Sequence, residues 1–149
     1  MTFPSTLRTV AAVALGCVAL AAASARASAG VAVAGGVFSN GGSTHGGAIA
    51  SLGVIDVPLA PVRAELSVAV PFANGGYATT LDARASFAGT TVGVGAGFGT
   101  LGSRGASTTG AIYDGILAHD IAPHVALEVR DYFGARRGST LFAGVRLSI

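Results

Sequence analysis

The sequence predicts an all-β fold, an eight-stranded antiparallel up-and-down transmembrane β-barrel, and three observations carry this prediction. Eight short segments after residue 29 alternate between apolar and polar residues, and turn residues separate them. The polar faces combine opposite charges with very small residues, whereas the apolar faces carry Val, Leu and Ala. No uninterrupted apolar run after residue 29 is long enough for a transmembrane helix. This inside-out pattern is typical of a barrel that faces lipid.

The composition limits the classes of protein to which the chain can belong. Its 149 residues suffice for one domain, 51% of them are hydrophobic, only 11% are charged, and 23 are glycines. High hydrophobicity excludes a disordered chain, and the abundance of glycine disfavours a bundle of membrane helices. Because Arg8 and Arg26 precede residue 30, the seven remaining arginines balance the seven acidic residues of the chain. This balance gives no indication of nucleic-acid binding.

We expect residues 1–29 to be a secretory signal peptide and residues 30–149 to form the barrel. Arg8 supplies the positive n-region, Val10–Ala23 is an apolar run of 14 residues, and two Ala-x-Ala cleavage sites follow it. A retained N-terminal anchor is the alternative, which the shortness of the run disfavours. Cys17, the one cysteine of the chain, lies inside this segment. Cleavage would therefore exclude disulfides and cysteine ligands from the mature protein.

The eight alternating segments are predicted to be strands joined by short turns. They comprise Gly30–Phe38, His45–Ile55, Val62–Val70, Tyr77–Phe87, Thr91–Gly99, Thr109–His119, Val125–Phe133 and Thr140–Ile149. In the third segment Glu65 and Ser67 share one face, and Leu66 lies on the other. Soluble sandwiches and lipocalin-type barrels also alternate in this way. The opposite charges on the polar faces favour the membrane barrel, because such charges need a shared interior.

Glycine occupies every second position from Gly93 to Gly99. A strand without inward side chains leaves room for the long charged side chains of its neighbours, since the interior of an eight-stranded barrel is narrow. A hairpin around Ala88–Thr90 predicts three cross-strand pairs: Phe87 with Val92, Arg84 with Gly95, and Asp82 with Gly97. A glycine-rich dinucleotide loop is the rival interpretation. It requires a different spacing and a following helix, and the sequence has neither.

Eight charged residues are predicted to face the lumen as a balanced network. They are Arg63, Glu65, Asp82, Arg84, Asp114, Glu128, Arg130 and Arg146. Counting along the hairpins places Asp114 beside Arg130 and Glu128 beside Arg146. The same residues could be interpreted as paired catalytic carboxylates, but each acid has an arginine partner, which favours a structural network. In the sixth strand two isoleucines share the inward face with Asp114, which suggests a bulge or a register shift there.

The histidines offer no catalytic or metal site. His45 is expected in the first outer loop, whereas His119 and His124 are expected at the opposite rim. Pro123 marks the segment between the latter two as a turn, although their spacing resembles that of metal ligands. Ser43, Thr44 and His45 have no acidic partner nearby to orient them. We therefore predict no enzymatic activity, no metal and no cofactor.

The chain resembles the small outer-membrane β-barrel proteins, such as the OmpA transmembrane domain and the OmpX and OmpW types. The resemblance covers Gly30–Ile149 and rests on the signal peptide, the eight alternating strands and the inward charges. The last strand, LFAGVRLSI, has the alternation of that family's assembly signal but ends in isoleucine instead of an aromatic residue. The resemblance implies export to a bacterial outer membrane, the outer-membrane assembly machinery and membrane lipids as partners, and both termini in the periplasm. Phe87 would then lie toward the inner rim. Six aromatic residues would lie toward the outer rim: Phe38, Phe72, Tyr77, Phe98, Tyr113 and Phe133.

Three functions remain open from the sequence. The favoured one is a non-enzymatic outer-membrane barrel with a structural, adhesive or envelope-maintenance role. The others are a narrow pore for small solutes or ions and a soluble periplasmic or secreted ligand-binding barrel. Arg104, Arg136 and Arg137 fall in connections assigned to the cell surface, where guanidinium groups could bind the phosphates of lipopolysaccharide. The alternative is that they are ordinary solvated loop residues.

Overall fold

Eight antiparallel strands close into a single barrel in which consecutive strands pair and the last pairs with the first. The computed structural model describes residues 30–40, 42–56, 61–72, 76–101, 109–134 and 137–149, so the predicted signal peptide lies outside the described residues. The strands are β1 (Gly30–Asn40), β2 (Ser43–Asp56), β3 (Val62–Pro71), β4 (Ala78–Phe87), β5 (Thr90–Gly99), β6 (Gly110–Ala122), β7 (Val125–Gly134) and β8 (Arg137–Ser148). In the described parts of the chain, no helix has the length and hydropathy needed to cross a membrane. The predicted fold class is confirmed.

The barrel has two distinguishable ends. The terminus end carries Gly30, Ile149 and the tight turns Ala88–Gly89 and Pro123–His124. The connection between β2 and β3 also lies at the terminus end, and the loop end carries the four connections β1–β2, β3–β4, β5–β6 and β7–β8.

Some strands extend further toward the loop end than the sequence predicts. Asn40 pairs with Ser43, so only two residues connect β1 and β2. His45 therefore lies in β2, opposite Phe38, and not in an outer loop. The two strands can extend because each further pair satisfies backbone donors and acceptors that a loop would leave to water. Arg137 likewise begins β8 and pairs with Gly134, instead of lying in a connection.

The predicted register of the β4–β5 hairpin is wrong by two residues. Phe87 pairs with Thr90, which places Arg84 opposite Gly93 and Asp82 opposite Gly95. The reason is a turn of two residues in which both φ angles are positive, 47° at Ala88 and 77° at Gly89. Such a turn matches the twist of the flanking strands. A shift of two residues keeps every side chain on its predicted face.

The registers of the two following hairpins differ from the prediction by the same amount. Asp114 pairs with Tyr132 instead of Arg130, and Glu128 pairs with Gly144 instead of Arg146. The cause in the first hairpin is again a tight turn, because β6 continues to Ala122. The irregularity expected in the sixth strand lies near its end, between Asp120 and Ala122, and the strand is regular where its two isoleucines flank Asp114.

Large apolar side chains cover the outside of all eight strands. They include Val33, Leu52, Leu66, Val68, Leu81, Val94, Leu117, Leu127, Val129, Leu141, Val145 and Leu147, all exposed. The fully buried side chains include Arg130, Glu128, Asp82 and Asp114. An apolar exterior around a charged interior is the arrangement expected of a barrel in a bilayer.

The interior has two layers of different chemistry. Toward the loop end lies the apolar layer, which comprises Ala34, Phe38, Ile49, Ala69, Ala78, Leu101, Ile112, Tyr132 and Phe142. The rings of Phe38 and Phe142 lie 4.9 Å apart, and those of Phe38 and Tyr132 lie 6.3 Å apart. Phe38 is 3% exposed, so its predicted place in the outer aromatic rim is wrong. It shares the inward phase of β1 with Ala32 and Ala34 and fills the lumen instead.

Candidate functional site

Seven of the eight charged residues predicted for the lumen lie buried in it. We call them the charged layer: Glu65, Asp82, Arg84, Asp114, Glu128, Arg130 and Arg146. They project from five strands, β3, β4, β6, β7 and β8, because each occupies the inward phase of an alternating segment. The charged layer lies on the terminus side of the apolar layer. On β7, which begins at the terminus end, Arg130 comes one inward position before Tyr132. On β8, which ends at the terminus end, Arg146 comes two inward positions after Phe142.

Arg130 is the centre of the charged layer, with 0% of its side chain exposed. Its Nη1 donates to Asp82 Oδ2 at 2.9 Å and to Asp114 Oδ2 at 3.2 Å. Its Nε donates to Glu128 Oε1 at 2.6 Å, and its Nη2 donates to Ser67 Oγ at 3.3 Å. One guanidinium group therefore joins β3, β4 and β6 to its own strand across the lumen. Its planar fork of five donors is suited to this task.

Arg84 and Arg146 each contact both glutamates. Arg84 Nη1 donates to Glu128 Oε2 at 3.0 Å, and its Nε lies 3.0 Å from Glu65 Oε2. Arg146 Nη2 lies 2.9 Å from both oxygens of Glu65, whereas its Nη1 is 3.4 Å from Glu128 Oε2. The expected neighbour of Arg146, Glu128, is thus within reach, but the shorter contacts of Arg146 are to Glu65.

Arg63, the eighth predicted lumen residue, lies at the mouth of the terminus end. Its side chain is 36% exposed, and its Nε is 3.3 Å from Asp56 Oδ1 and 4.0 Å from Glu65 Oε1. A Cβ atom added at Gly30 or Gly53 would contact its guanidinium group, so the group lies across the wall formed by β1 and β2. It is half-exposed because it is the second residue of β3, where the barrel wall begins.

The glycines of β5 leave space for two kinds of neighbour. A Cβ added at Gly95 would contact Asp82 Oδ1 and Asp114 Oδ1, which occupy the space over this residue. A Cβ added at Gly97 would instead contact the carbonyl oxygen of Thr79 in the backbone of β4. The predicted role of the glycine face is therefore supported by its surroundings, although Gly95 and not Gly97 lies beside the carboxylates.

The interior also contains uncharged residues whose contacts the sequence did not indicate. Tyr132 and Phe142 are fully buried in the apolar layer. Ser67 donates to Asp82 Oδ2 at 2.6 Å and lies 3.0 Å from Ser51 Oγ, which extends the charged layer to β2. Alternation had already placed Ser67 on the face of Glu65. Tyr132, two positions after Arg130, could have been assigned to the interior in the same way.

The histidines lie at opposite ends of the barrel. His119 Nδ1 is 3.1 Å from Thr90 Oγ1 near the terminus end, and His124 occupies the adjacent turn with a φ of 64°. His45 lies near the loop end in β2. Within the described ranges, no three His, Cys, Asp or Glu side chains are arranged to hold a metal ion.

Exposed aromatic side chains mark both rims. At the loop end, Phe72, Phe98, Tyr113 and Phe133 are exposed, and the rings of Tyr113 and Phe133 stack with their centroids 6.1 Å apart. At the terminus end, Phe87 is exposed. Aromatic residues at these heights are the anchors expected at the two interfaces of a bilayer.

The arginines predicted to contact lipopolysaccharide fall largely outside the structural description. Arg104 and Arg136 are outside the described residues, and for Arg137 only the backbone position at the start of β8 is described. Their contact with phosphate stays a prediction.

Solved structures of transmembrane β-barrels share this fold, whereas no protein-family model and no curated protein sequence matches the chain. The Yersinia pestis outer membrane protein Ail, determined in a phospholipid bilayer nanodisc, matches with a TM-score of 0.55 and 13% identity, over 81% of this chain and 99% of that one. A de novo designed transmembrane β-barrel matches with a TM-score of 0.53 and 12% identity, over 83% of this chain and 98% of that one. The chain therefore has the fold of a transmembrane β-barrel.

Proposed function

We propose that this protein is a non-enzymatic barrel of a bacterial outer membrane, closed along its lumen, with a structural, adhesive or envelope-maintenance role. The apolar exterior contributed by all eight strands supports membrane embedding. The likeness to Ail, an outer membrane protein, supports the choice of membrane. The same exterior argues against the soluble ligand-binding barrel, whose outer surface would be polar. Export by a cleaved signal peptide and insertion by the outer-membrane assembly machinery belong to this proposal.

The single observation that carries the proposal is the burial of Arg130 in mid-lumen, bound to Asp82, Asp114 and Glu128. A pore needs a continuous water path, and a guanidinium group lining one would be exposed. Here its contacts tie opposite walls of the barrel together. The apolar layer, with Phe38 and Phe142 in ring contact, stands as a second barrier toward the loop end. The structural, adhesive or envelope-maintenance role would then be carried out by the surface of the barrel and not by its interior.

Planar-bilayer recordings test this proposal against the narrow pore. We expect the inserted wild-type protein to give no reproducible conductance steps. We expect the same of Arg146→Gln, which removes one guanidinium group from the charged layer but leaves the apolar layer complete. Steps in the wild type would overturn the closed barrel. Steps in the variant alone would identify the charged layer as the gate of a pore and would equally contradict the proposal.

We further propose that Arg104, Arg136 and Arg137 bind lipopolysaccharide phosphates at the loop end. Guanidinium groups bind phosphate through two parallel hydrogen bonds. In the sequence, Arg104 falls between β5 and β6, Arg136 falls between β7 and β8, and Arg137 begins β8. Replacing Arg136 and Arg137 with glutamine should weaken binding to phosphorylated lipopolysaccharide and leave binding to dephosphorylated material unchanged. Arg63→Gln, at the terminus end, is the matched control. Equal affinity of the wild type and the double variant for the phosphorylated form would make these arginines ordinary loop residues.

A further inference from the structure

The charged layer contains one more carboxyl group than it has guanidinium groups. Among the described residues its four acids face three arginines, Arg84, Arg130 and Arg146. At the mouth, Arg63 Nε lies closer to Asp56 Oδ1, at 3.3 Å, than to Glu65 Oε1, at 4.0 Å, and adding Arg63 together with Asp56 leaves the excess at one. An uncompensated charge in an interior of low dielectric constant is unfavourable. The layer therefore needs one further positive charge.

The two glutamates are fully compensated by arginines. Glu65 has Arg146 Nη2 at 2.9 Å from both of its oxygens and Arg84 Nε at 3.0 Å. Glu128 receives Arg130 Nε on one oxygen, and Arg84 Nη1 and Arg146 Nη1 on the other. With so many donors on each carboxylate, the missing positive charge does not belong to either glutamate.

The two aspartates, in contrast, share a single nitrogen atom. Asp82 Oδ2 and Asp114 Oδ2 both accept from Arg130 Nη1, at 2.9 and 3.2 Å. Their other oxygens, both named Oδ1, are buried and accept no hydrogen bond from the described residues. Gly95 lies between the two aspartates in the register, paired with each of them. Because a Cβ at Gly95 would contact both Oδ1 atoms, these oxygens approach each other over this glycine.

Besides Arg130, Arg84 also acts electrostatically on Asp114, but its ion pairs among the described residues are with the two glutamates. From β3, Ser67 donates its hydroxyl to Asp82 Oδ2, and from β7, Tyr132 pairs with Asp114 through the backbone. The isoleucines of β6 flank Asp114 with apolar surface. Of the arginines, only Arg130 makes a hydrogen bond or an ion pair with these two aspartates in the described part of the chain.

We propose that Asp82 and Asp114 share one proton between their Oδ1 atoms, held over Gly95, so that the charged layer is electrically neutral. One proton adds the missing positive charge and gives each Oδ1 a hydrogen-bond partner. The absence of a side chain at Gly95 permits the two oxygens to approach. This proposal does not depend on the function proposed above, since it concerns the electrical state of the interior whatever the barrel does.

Infrared spectroscopy of the protein folded in detergent at neutral pH tests the shared proton directly. We expect the carbonyl stretch of one protonated carboxyl group among the seven acidic residues of the chain. It should vanish in Asp82→Asn and in Asp114→Asn, because either substitution removes one negative charge and with it the need for the proton. It should persist in Asp56→Asn, the control at the exposed mouth. No band in the wild type, or a band that survives both lumen substitutions, would overturn the proposal.

Unfolding in urea gives a second readout on the same variants. An asparagine amide has one donor and one acceptor side, as a protonated carboxyl group does, so each single substitution should leave the transition midpoint unchanged or raised. The double substitution leaves two carboxylates for three arginines and should lower the midpoint below that of either single variant. Single variants as destabilised as the double would contradict the proposal. So would a wild-type midpoint that falls when choline replaces sodium, because a small cation would then supply the charge.

Discussion

Replacing Gly97 with alanine should prevent β4 and β5 from pairing at their present distance. The added Cβ would contact the carbonyl oxygen of Thr79 and lie 2.8 Å from Thr80 Cα. Both atoms belong to the backbone of β4, which cannot move without breaking the ladder between the strands. Overpacking of this kind costs about 1–3 kcal/mol or more. We expect Gly97→Ala to lower the free energy of unfolding, measured by urea titration in detergent. The variant should also show a smaller folded fraction on a heat-modifiability gel.

Two outward positions beside this site provide matched controls. Gly115 lies in β6, opposite Val94, and a Cβ added there meets nothing within 4 Å. Gly115→Ala should be neutral or stabilising, because glycine within a strand is less favourable than alanine by roughly 0.5–1 kcal/mol. Val94→Leu, whose side chain faces lipid, should have almost no effect. If either control destabilised the barrel more than Gly97→Ala, the inward assignment of the glycine face would be wrong.

Alternation predicted the faces of the strands more reliably than it predicted the pairs across them. Arg84 and Asp82 point inward in both the predicted and the observed registers, because an error of two residues leaves the phase unchanged. The error arose at the turns, where Ala88 adopts a positive φ of 47°. A non-glycine residue seldom adopts this conformation, so the sequence around Ala88 does not indicate a turn of two residues.

The ion pairs could be predicted only in part, for a geometric reason. Counting along hairpins compares neighbouring strands, whereas Arg130 on β7 binds Asp82 on β4, three strands away around the barrel. Long side chains that cross a narrow lumen make contacts that strand order does not contain. The misplaced Phe38 has a similar origin. An aromatic residue near a strand end suits either an interfacial rim or a lumen, and only its phase relative to Ala34 distinguishes them.

Arg130→Gln should destabilise the barrel more than any other substitution of a single charged residue among those described. It leaves Asp82, Asp114 and Glu128 buried with one guanidinium group fewer. Removing one partner of a buried ionic group typically costs about 3–5 kcal/mol. Arg63→Gln is the matched control, since its half-exposed side chain lies at the mouth, where ion pairs contribute about 0–1 kcal/mol. Urea unfolding of both variants in detergent should show this difference.

Double-substitution cycles then locate the coupling within the charged layer. Replacing Glu128 alone leaves its arginines undercompensated, and removing a partner as well should restore part of the loss. The coupling energy between Glu128 and Arg130 should exceed that between Glu128 and Arg146. Arg130 Nε lies 2.6 Å from Glu128 Oε1, whereas Arg146 Nη1 lies 3.4 Å from Glu128 Oε2. Arg146 also retains both oxygens of Glu65 when Glu128 is replaced. Additive effects in the cycle with Arg130 would contradict its place as the centre of the layer, because a shared buried contact must appear as a coupling energy.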